Sequence, residues 1–466
     1  MRTATLVPPV RPLHTLRSLG LPVVRGQEAD VERVLDRPID AGSVEELRRS
    51  ARGLGVSERF TEVVRFFGTP PGHTPAGFRV DSVLEADGTL RFDLRRDISY
   101  DADGALRPTG QLFSVDSANP YEIAPVAPLV ANLTCNPSII WDLFLSDPTK
   151  NVGGLFRDRD EVLVEIARLL GPGADMSVEL ENPFEDVGRA VEEAEHLRDL
   201  VSEHRVVIKV PHTGPVDADN YRQLLEGAGH LDRRYDAPAT ADAFRGHNLA
   251  LTLREHGFRV NFTLMFEPHQ VRLALQARPY FVNAFVRHRM FQSQRMVELL
   301  DEHARTHDDA PLLALRGYLL DNDYLSTADT DLDLAECRRL AERVVAYRRI
   351  REPEGSDGLD HARHALRVLR DANLPDTRLI ICSMEGDRNY PDIDRMLAEP
   401  ELADMAARVV VTAEPGYLAR FTSTNQVVSY QRRFLRAAEH TRAARAEAAA
   451  AARPAGDPGA ASPGSS

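Results

Sequence analysis

The sequence predicts an α/β protein built on a (β/α)8 TIM barrel, with an N-terminal α+β extension and a disordered C-terminal tail. Two observations carry this. Eight short β-rich runs recur along the chain: Leu112–Val115, Leu129–Leu133, Met176–Leu180, Val206–Val210, Val260–Phe266, Phe281–Val286, Leu379–Cys382 and Val409–Thr412. Amphipathic stretches separate them, among them Val187–Ser202, Tyr221–Glu226, Gln270–Gln276 and Ala335–Arg349. Eight strands alternating with helices close into a parallel barrel with helices outside. The length of 466 residues, 43% of them hydrophobic, accommodates such a core and appendages.

Residues 1–110 form the extension. Positions 27–69 read as short helices, with Ser43 as an N-cap and Glu46 completing a capping box. Residues 78–96 alternate as a hairpin about Asp87-Gly88, a strong turn signal. The barrel takes residues 111–440, with insertions at 214–256 after the fourth strand and 290–376 after the sixth. Loops after barrel strands open on the C-terminal face, where barrel chemistry sits. The second insertion is strongly helical and reads as a lid or as a contact in a homo-oligomer. The tail, 441–466, is rich in Ala and Arg, then in Gly, Pro and Ser. Its early part extends a helix, and disorder is expected from Arg453.

Composition excludes several function classes. The charge balance is 57 − 71 = −14, with no long basic run, which argues against nucleic acid and anionic membranes as partners. No run of about 18 apolar residues could span a bilayer. Cys135, Cys337 and Cys382 are scattered, without CxxC spacing, so no disulfide or zinc framework is expected and a reducing compartment fits. The first 26 residues carry four arginines and no acid, but Pro8, Pro9, Pro12 and Pro22 break a transit helix. A cytoplasmic protein with a loose N-terminal arm is expected. His303 with His307, and His361 with His364, lie on charged helices and read as solvated faces. Neither a metal nor another cofactor is expected.

Only two of the 57 basic residues are lysines, Lys150 and Lys209. Lys209 lies inside the apolar run Arg205-Val-Val-Ile-Lys-Val-Pro211, where an ammonium is expensive to desolvate. Burial is expected to lower its pKa and free a neutral amine, the nucleophile of Schiff-base chemistry. Arginine cannot serve, because it keeps its proton. Other strands add polar residues: Asp116 ending the first, Asn136 closing the second, Glu179 on the third, and Asn261 and Thr263, two apart and so on one face, on the fifth.

In order, these residues resemble the transaldolase family. The matching segments are Thr134-Cys-Asn-Pro137, Ser177-Val-Glu179, Ile208-Lys-Val-Pro211 and Asn261-Phe-Thr-Leu-Met-Phe266, with Gln270 in a position where the family often has Gln. The resemblance is clear over 112–290 and looser over 377–420. It implies a barrel transferase of pentose-phosphate-type carbohydrate metabolism, needing no cofactor. Lys209 would form a Schiff base with a sugar or sugar-phosphate ketose. Asp116 would move the hydroxyl proton during carbon–carbon cleavage. Glu179 and Thr263 would hold the water used in proton transfers. Asn136 and Asn261 would bind hydroxyls of the dihydroxyacetone unit, which then passes to an aldehyde acceptor.

Departures from the family concern phosphate. Asn283 replaces a Ser after the sixth strand. His288 occupies the place of a phosphate-binding Arg, flanked by Arg287 and Arg289, and one of these two is expected to hold an anionic group. The family's second phosphate Arg falls on Met384-Glu385-Gly386, with Arg388 nearby. Schiff-base chemistry is thus better supported than a phosphorylated substrate. Three functions follow: a transaldolase, a divergent aldolase or transaldolase for an unusual sugar (a lyase or transferase of specialised metabolism), and a catalytically silent barrel that acts as a binding subunit.

Overall fold

Buried parallel strands need apolar side chains on both faces, and the eight runs supply them. The computed structural model describes residues 14–101, 104–202, 204–214, 243–382, 389–420 and 422–451. Ahead of the barrel, besides a short strand pair, lies a three-stranded sheet: β1 (Gly53–Val56), β2 (Phe78–Leu84) and β3 (Thr89–Arg96). The barrel strands are β4 (Leu112–Asp116), β5 (Val130–Cys135), β6 (Asp175–Glu179), β7 (Arg205–Pro211), β8 (Val260–Thr263), β9 (Phe281–Phe285), β10 (Arg378–Cys382) and β11 (Val409–Ala413). They close in sequence order, every pair parallel, β11 returning to β4. All eight expected runs are strands.

Their core holds Leu112, Val207, Phe281, Ile380 and Val410, joined by Ile98 from the extension. The fifth strand is shorter than expected. It stops at Thr263 because Leu264 takes a left-handed backbone, φ 53. Gln270 braces that turn: its Oε1 accepts from the amides of Phe266 (2.8 Å) and Glu267 (2.9 Å), and its Nε2 donates to the Leu264 carbonyl (3.2 Å).

The extension corrects two expectations. Gly53–Val56 is a strand, parallel to β3, within a region read as helical. Its Leu54 and Val56 are buried with Phe60 of helix α2 (Glu58–Phe66), so tertiary packing overrides the local pattern. Ser43 is not an N-cap. Helix α1 (Ala41–Ser50) starts three residues earlier, where the Asp40 carboxylate accepts from the amides of Gly42 (2.9 Å) and Ser43 (3.1 Å). Asp is at least as good a cap as Ser. The hairpin forms as expected, with Phe78 opposite Arg96 and Leu84 opposite Leu90.

The extension closes the N-terminal end of the barrel. Ile98 is fully buried in the barrel core. Arg378, the first residue of β10, pairs with Asp97 at 3.0 Å and donates to Ser99 Oγ at 2.6 Å. Arg205, the first residue of β7, is fully buried, lies 3.0 Å from Asp175 and donates to the Gly77 carbonyl at 2.5 Å.

Helices α3 (Arg159–Leu170), α4 (Val187–Leu200) and α5 (Arg245–Glu255) cover the first half of the barrel. The second insertion contributes α6 (His288–Thr306), α7 (Ala310–Asp321) and α8 (Leu334–Arg348), with a core of their own around Met296, Leu315, Leu319 and Cys337. Helix α9 (Asp360–Arg370) returns to pack on β9 and β10. It corrects the reading of His361 as solvated: that ring is buried, and burial pushes its pKa down to about 3. Helix α10 (Asn389–Leu397) precedes β11. A second unit starts at Pro415 and consists mainly of helix α11 (Asn425–Ala451). The expected helix Tyr221–Glu226 and the tail from Arg453 lie outside the described residues. No helix among the described residues is long and apolar enough to cross a membrane.

The Arg205 contact makes Gly77 sensitive. Its φ is +67, and a Cβ there would lie 1.5 Å from the Arg205 guanidinium. Gly77→Ala should therefore lose about 1–3 kcal/mol of stability in denaturant unfolding. Gly153→Ala, at φ +72 with nothing within 4 Å of the added carbon, is the control for backbone strain alone. Equal losses in the two variants would refute the crowding argument.

Candidate active site

Side chains alternate along a strand, so only every second residue of each barrel strand faces the lumen. Polar residues hold these places on three neighbouring strands: Ser114 and Asp116 on β4, Asn132 and Thr134 on β5, Ser177 and Glu179 on β6. They are tied together in two levels. Below, Ser177 Oγ donates to Asn132 Oδ1 (3.0 Å), and Asn132 Nδ2 donates to Ser114 Oγ (2.9 Å). Above, Thr134 Oγ1 donates to Asp116 Oδ1 (2.8 Å).

Lys209 lies opposite Glu179 on one side and Asn261 on the other in the strand register. Its Nζ is 3.1 Å from Glu179 Oε2, and its side chain is 7% exposed. Lys150, by contrast, is partly exposed and donates to the Leu143 carbonyl at 2.9 Å. The lysine pKa corrects the expectation. Burial alone would push it down, but Glu179 and then Asp116 outweigh burial, and the ammonium sits above its ordinary value. Burial in turn raises the carboxyls of Asp116 and Glu179. The resting site is therefore an ammonium held by carboxylates that accept a proton more readily than usual. Three groups so close titrate as a set.

Asn261 is fully buried, and neither its Oδ1 nor its Nδ2 has a hydrogen-bond partner among the described residues. The same holds for Asn283 Oδ1 on β9 and Thr412 Oγ1 on β11. Buried polar atoms without partners are costly in a core and are the usual mark of a place kept for a ligand. Thr263, also buried, is two residues beyond Asn261 on the same face. Asn136 is partly committed: its Oδ1 accepts from the Ile139 amide (2.8 Å) and caps the turn that follows β5. Cys382 ends β10 in the barrel core, and burial pushes its thiol up to about 12, so it offers no thiolate. His212, just beyond β7, stacks edge-on against Phe262 at 4.7 Å, on the other side of β8 from Asn261.

The structure brings Lys209, Glu179, Asp116, Asn261, Thr263 and Asn283 into the lumen. Arg287 and Arg289 are placed differently. Arg287, at φ 67, is buried and pairs with Asp392, while its Nη1 donates to Asn389 Oδ1 at 3.0 Å. Arg289 pairs with Glu267 at 2.6 Å and with Asp360. Arg348 at the end of α8 reaches the other Glu267 oxygen at 3.3 Å. Both arginines are neutralised by carboxylates that the sequence pattern did not connect to them. Glu385 and Arg388 lie outside the described residues. Sequence reasoning also missed Ser114, Asn132 and Thr412. The signal was available for the first two: a polar residue at every second place of a buried strand. Among the described residues no group of three or more His, Cys, Asp or Glu side chains could hold a metal ion.

A closed parallel barrel here buries a lysine between a glutamate and an amide without a described partner, with a second carboxylate nearby, an arrangement able to receive a carbonyl compound. Residues 113–314 match the family described as Transaldolase/Fructose-6-phosphate aldolase, and over this segment the chain resembles a divergent member of it. The match takes in six of the eight barrel strands, β4 to β9. No curated protein sequence gives a significant match. Among solved structures, an HpcH/Hpal aldolase/citrate lyase family protein from Burkholderia cenocepacia J2315 is 10% identical, with 70% of this chain and 96% of that chain covered at a TM-score of 0.31. The carboxyl transferase domain of Rhizobium etli pyruvate carboxylase, solved with 3-hydroxypyruvate, is 13% identical, with 65% and 56% covered at a TM-score of 0.23. Overlaps this partial carry no argument about chemistry.

The charge set generates a pH prediction. Lys209→Met leaves Asp116 and Glu179 buried without their cation, and their already raised pKa values rise further. A carboxyl whose folded pKa exceeds its unfolded value contributes stability that is full below the unfolded pKa, about 4, and lost as pH rises through the folded one. The variant should therefore fall progressively behind the wild type as pH rises above about 4, by about 1.4 kcal/mol per unit of added shift. Denaturant unfolding of both proteins across that range measures it. A constant difference would mean that the lysine does not hold the carboxylates.

Proposed function

We propose that this protein is a class I aldol transferase that forms a Schiff base at Lys209 with a ketose and passes a dihydroxyacetone unit to an aldehyde. The observation that supports it above all is the Lys209–Glu179 contact of 3.1 Å inside the barrel, beside the unpartnered amide of Asn261. Glu179 is in reach to take the ammonium proton when a ketone displaces the contact. The amine then adds to the carbonyl, and loss of water leaves a protonated imine. Thr263 and Glu179 hold that water. Asp116 accepts the proton of the hydroxyl on the far carbon of the bond to be cleaved. That bond breaks, its electron pair passes into the imine, and an aldehyde departs. The resulting enamine attacks a second aldehyde, Asp116 returns the proton to the new hydroxyl, and hydrolysis frees Lys209. Asn261, and the Asn136 amide nitrogen, hold the hydroxyls of the bound three-carbon unit, and Asn283 lines the same wall.

Borohydride trapping tests this reading. A ketose donor should add irreversibly to Lys209, located by mass spectrometry, and Lys209→Arg should abolish both adduct and turnover while keeping the fold. An adduct retained in that variant would point to Lys150 or the N-terminal amine. No adduct with any ketose would favour the silent barrel.

A second reading concerns the donor. Arg287 and Arg289 are both held by carboxylates, which favours a substrate bound by its hydroxyls over one bound by a phosphate. This supports the divergent enzyme acting on an unusual, unphosphorylated sugar. Given paired donors with and without a terminal phosphate, the enzyme should show the higher kcat/KM for the unphosphorylated one. A clear preference for the phosphorylated donor would reinstate a sugar-phosphate transaldolase.

A further inference from the structure

Helix α11 has 27 residues, so it is about 40 Å long, and none of them is buried. Val428, Tyr430, Phe434 and Leu435 are each more than half exposed. Its sequence carries a strict seven-residue pattern: Val427, Tyr430, Phe434, Ala437, Thr441, Ala444, Ala448 and Ala451, spaced alternately by three and four. An unbroken spacing of this kind marks a seam for a second helix, because the average of 3.5 keeps one stripe facing one partner. Tyr430 and Phe434 stand together on that stripe, their ring centroids 6.3 Å apart.

The stripe is graded. Its N-terminal half carries Val427, Tyr430 and Phe434, and its C-terminal half only Thr441 and alanines. Such a stripe is not complementary to itself when two copies run parallel: bulky rings would meet rings, and alanines would leave gaps. Run antiparallel with full overlap, Tyr430 meets Ala448, Phe434 meets Ala444, and Ala437 meets Thr441 of the second copy, so every bulky side chain faces a small one. The same register brings Arg433 beside Glu447 of the second copy, twice by symmetry. A helix lying on a membrane needs bulky apolar residues along its whole length, and here half of the stripe is alanine and threonine.

We infer that α11 is an oligomerisation helix, which pairs with α11 of a second copy of this chain in an antiparallel two-helix coiled coil. The interaction is independent of the barrel chemistry.

The test uses sedimentation velocity on the full chain. The wild type should self-associate reversibly. Ala444→Phe should weaken the dimer by about tenfold or more, because it sets ring against ring; in a parallel pair it would instead fill a gap and strengthen the dimer. Arg433→Glu should weaken it by placing Glu against Glu447, and the double variant Arg433→Glu, Glu447→Arg should restore it. All these positions are exposed, so the fold is unaffected. A monomeric wild type, an assembly that neither single variant moves, a double variant that fails to recover, or a helix that binds anionic lipid vesicles without self-association each overturns the inference.

Discussion

The register between β6 and β7 governs this molecule. It sets Asp175 opposite Arg205 and, four residues further along both strands, Glu179 opposite Lys209. Two acid–base pairs thus lie on the same face of the same strand pair, one at each end of the barrel, separated by about 13 Å of strand. Buried ion pairs contribute little net stability, but breaking one partner away is expensive, so they fix which residues must face each other. A slip of one residue in either strand would turn one member of each pair out of the lumen. The lower pair anchors the extension through Gly77, and the upper pair sets the protonation state of the only buried lysine among the described residues.

Much of this was legible in the sequence. The alternation of β-rich runs and helices located all eight strands, because parallel strands buried on both faces leave little freedom in composition. Lys209 stood out because arginine almost everywhere else took the basic role. What escaped the sequence depends on long-range partners. Gly53–Val56 becomes a strand only because β3 and α2 bury it. The state of Lys209 depends on Glu179, thirty residues earlier, and Asp116, much farther off, so reasoning from burial alone gave the wrong direction. Arg287 and Arg289 follow a barrel strand, as anion-binding arginines do, but their carboxylate partners, Glu267, Asp360 and Asp392, come from three other loops and helices. No local pattern reveals that these arginines are already matched.

That matching also says what the second insertion is. Glu267, just beyond β8, takes Arg289 from the first turn of α6 and Arg348 from the end of α8. The three-helix insertion is therefore fastened at both ends to the mouth of the barrel, with its own apolar core above. The polarity of the lumen is arranged in a similar way. The level of Ser114, Asn132 and Ser177 is internally satisfied, whereas Asn261, Asn283 and Thr412 on the other strands keep unpartnered atoms. Satisfied groups make a rigid floor, and unsatisfied ones leave affinity for a guest.

The contact between Gly77 and Arg205 joins residues 128 positions apart. Translation runs from the N-terminus, and domains fold as they emerge. The extension has a core of its own, from Leu16 to Leu94, to which no barrel strand contributes. Ile98 and the Gly77 carbonyl therefore belong to a segment that can fold before Val207 and Arg205 emerge and dock on it. A segment that contributes no lumen side chain to the candidate site thus offers the barrel a preformed surface against which its N-terminal end can shut.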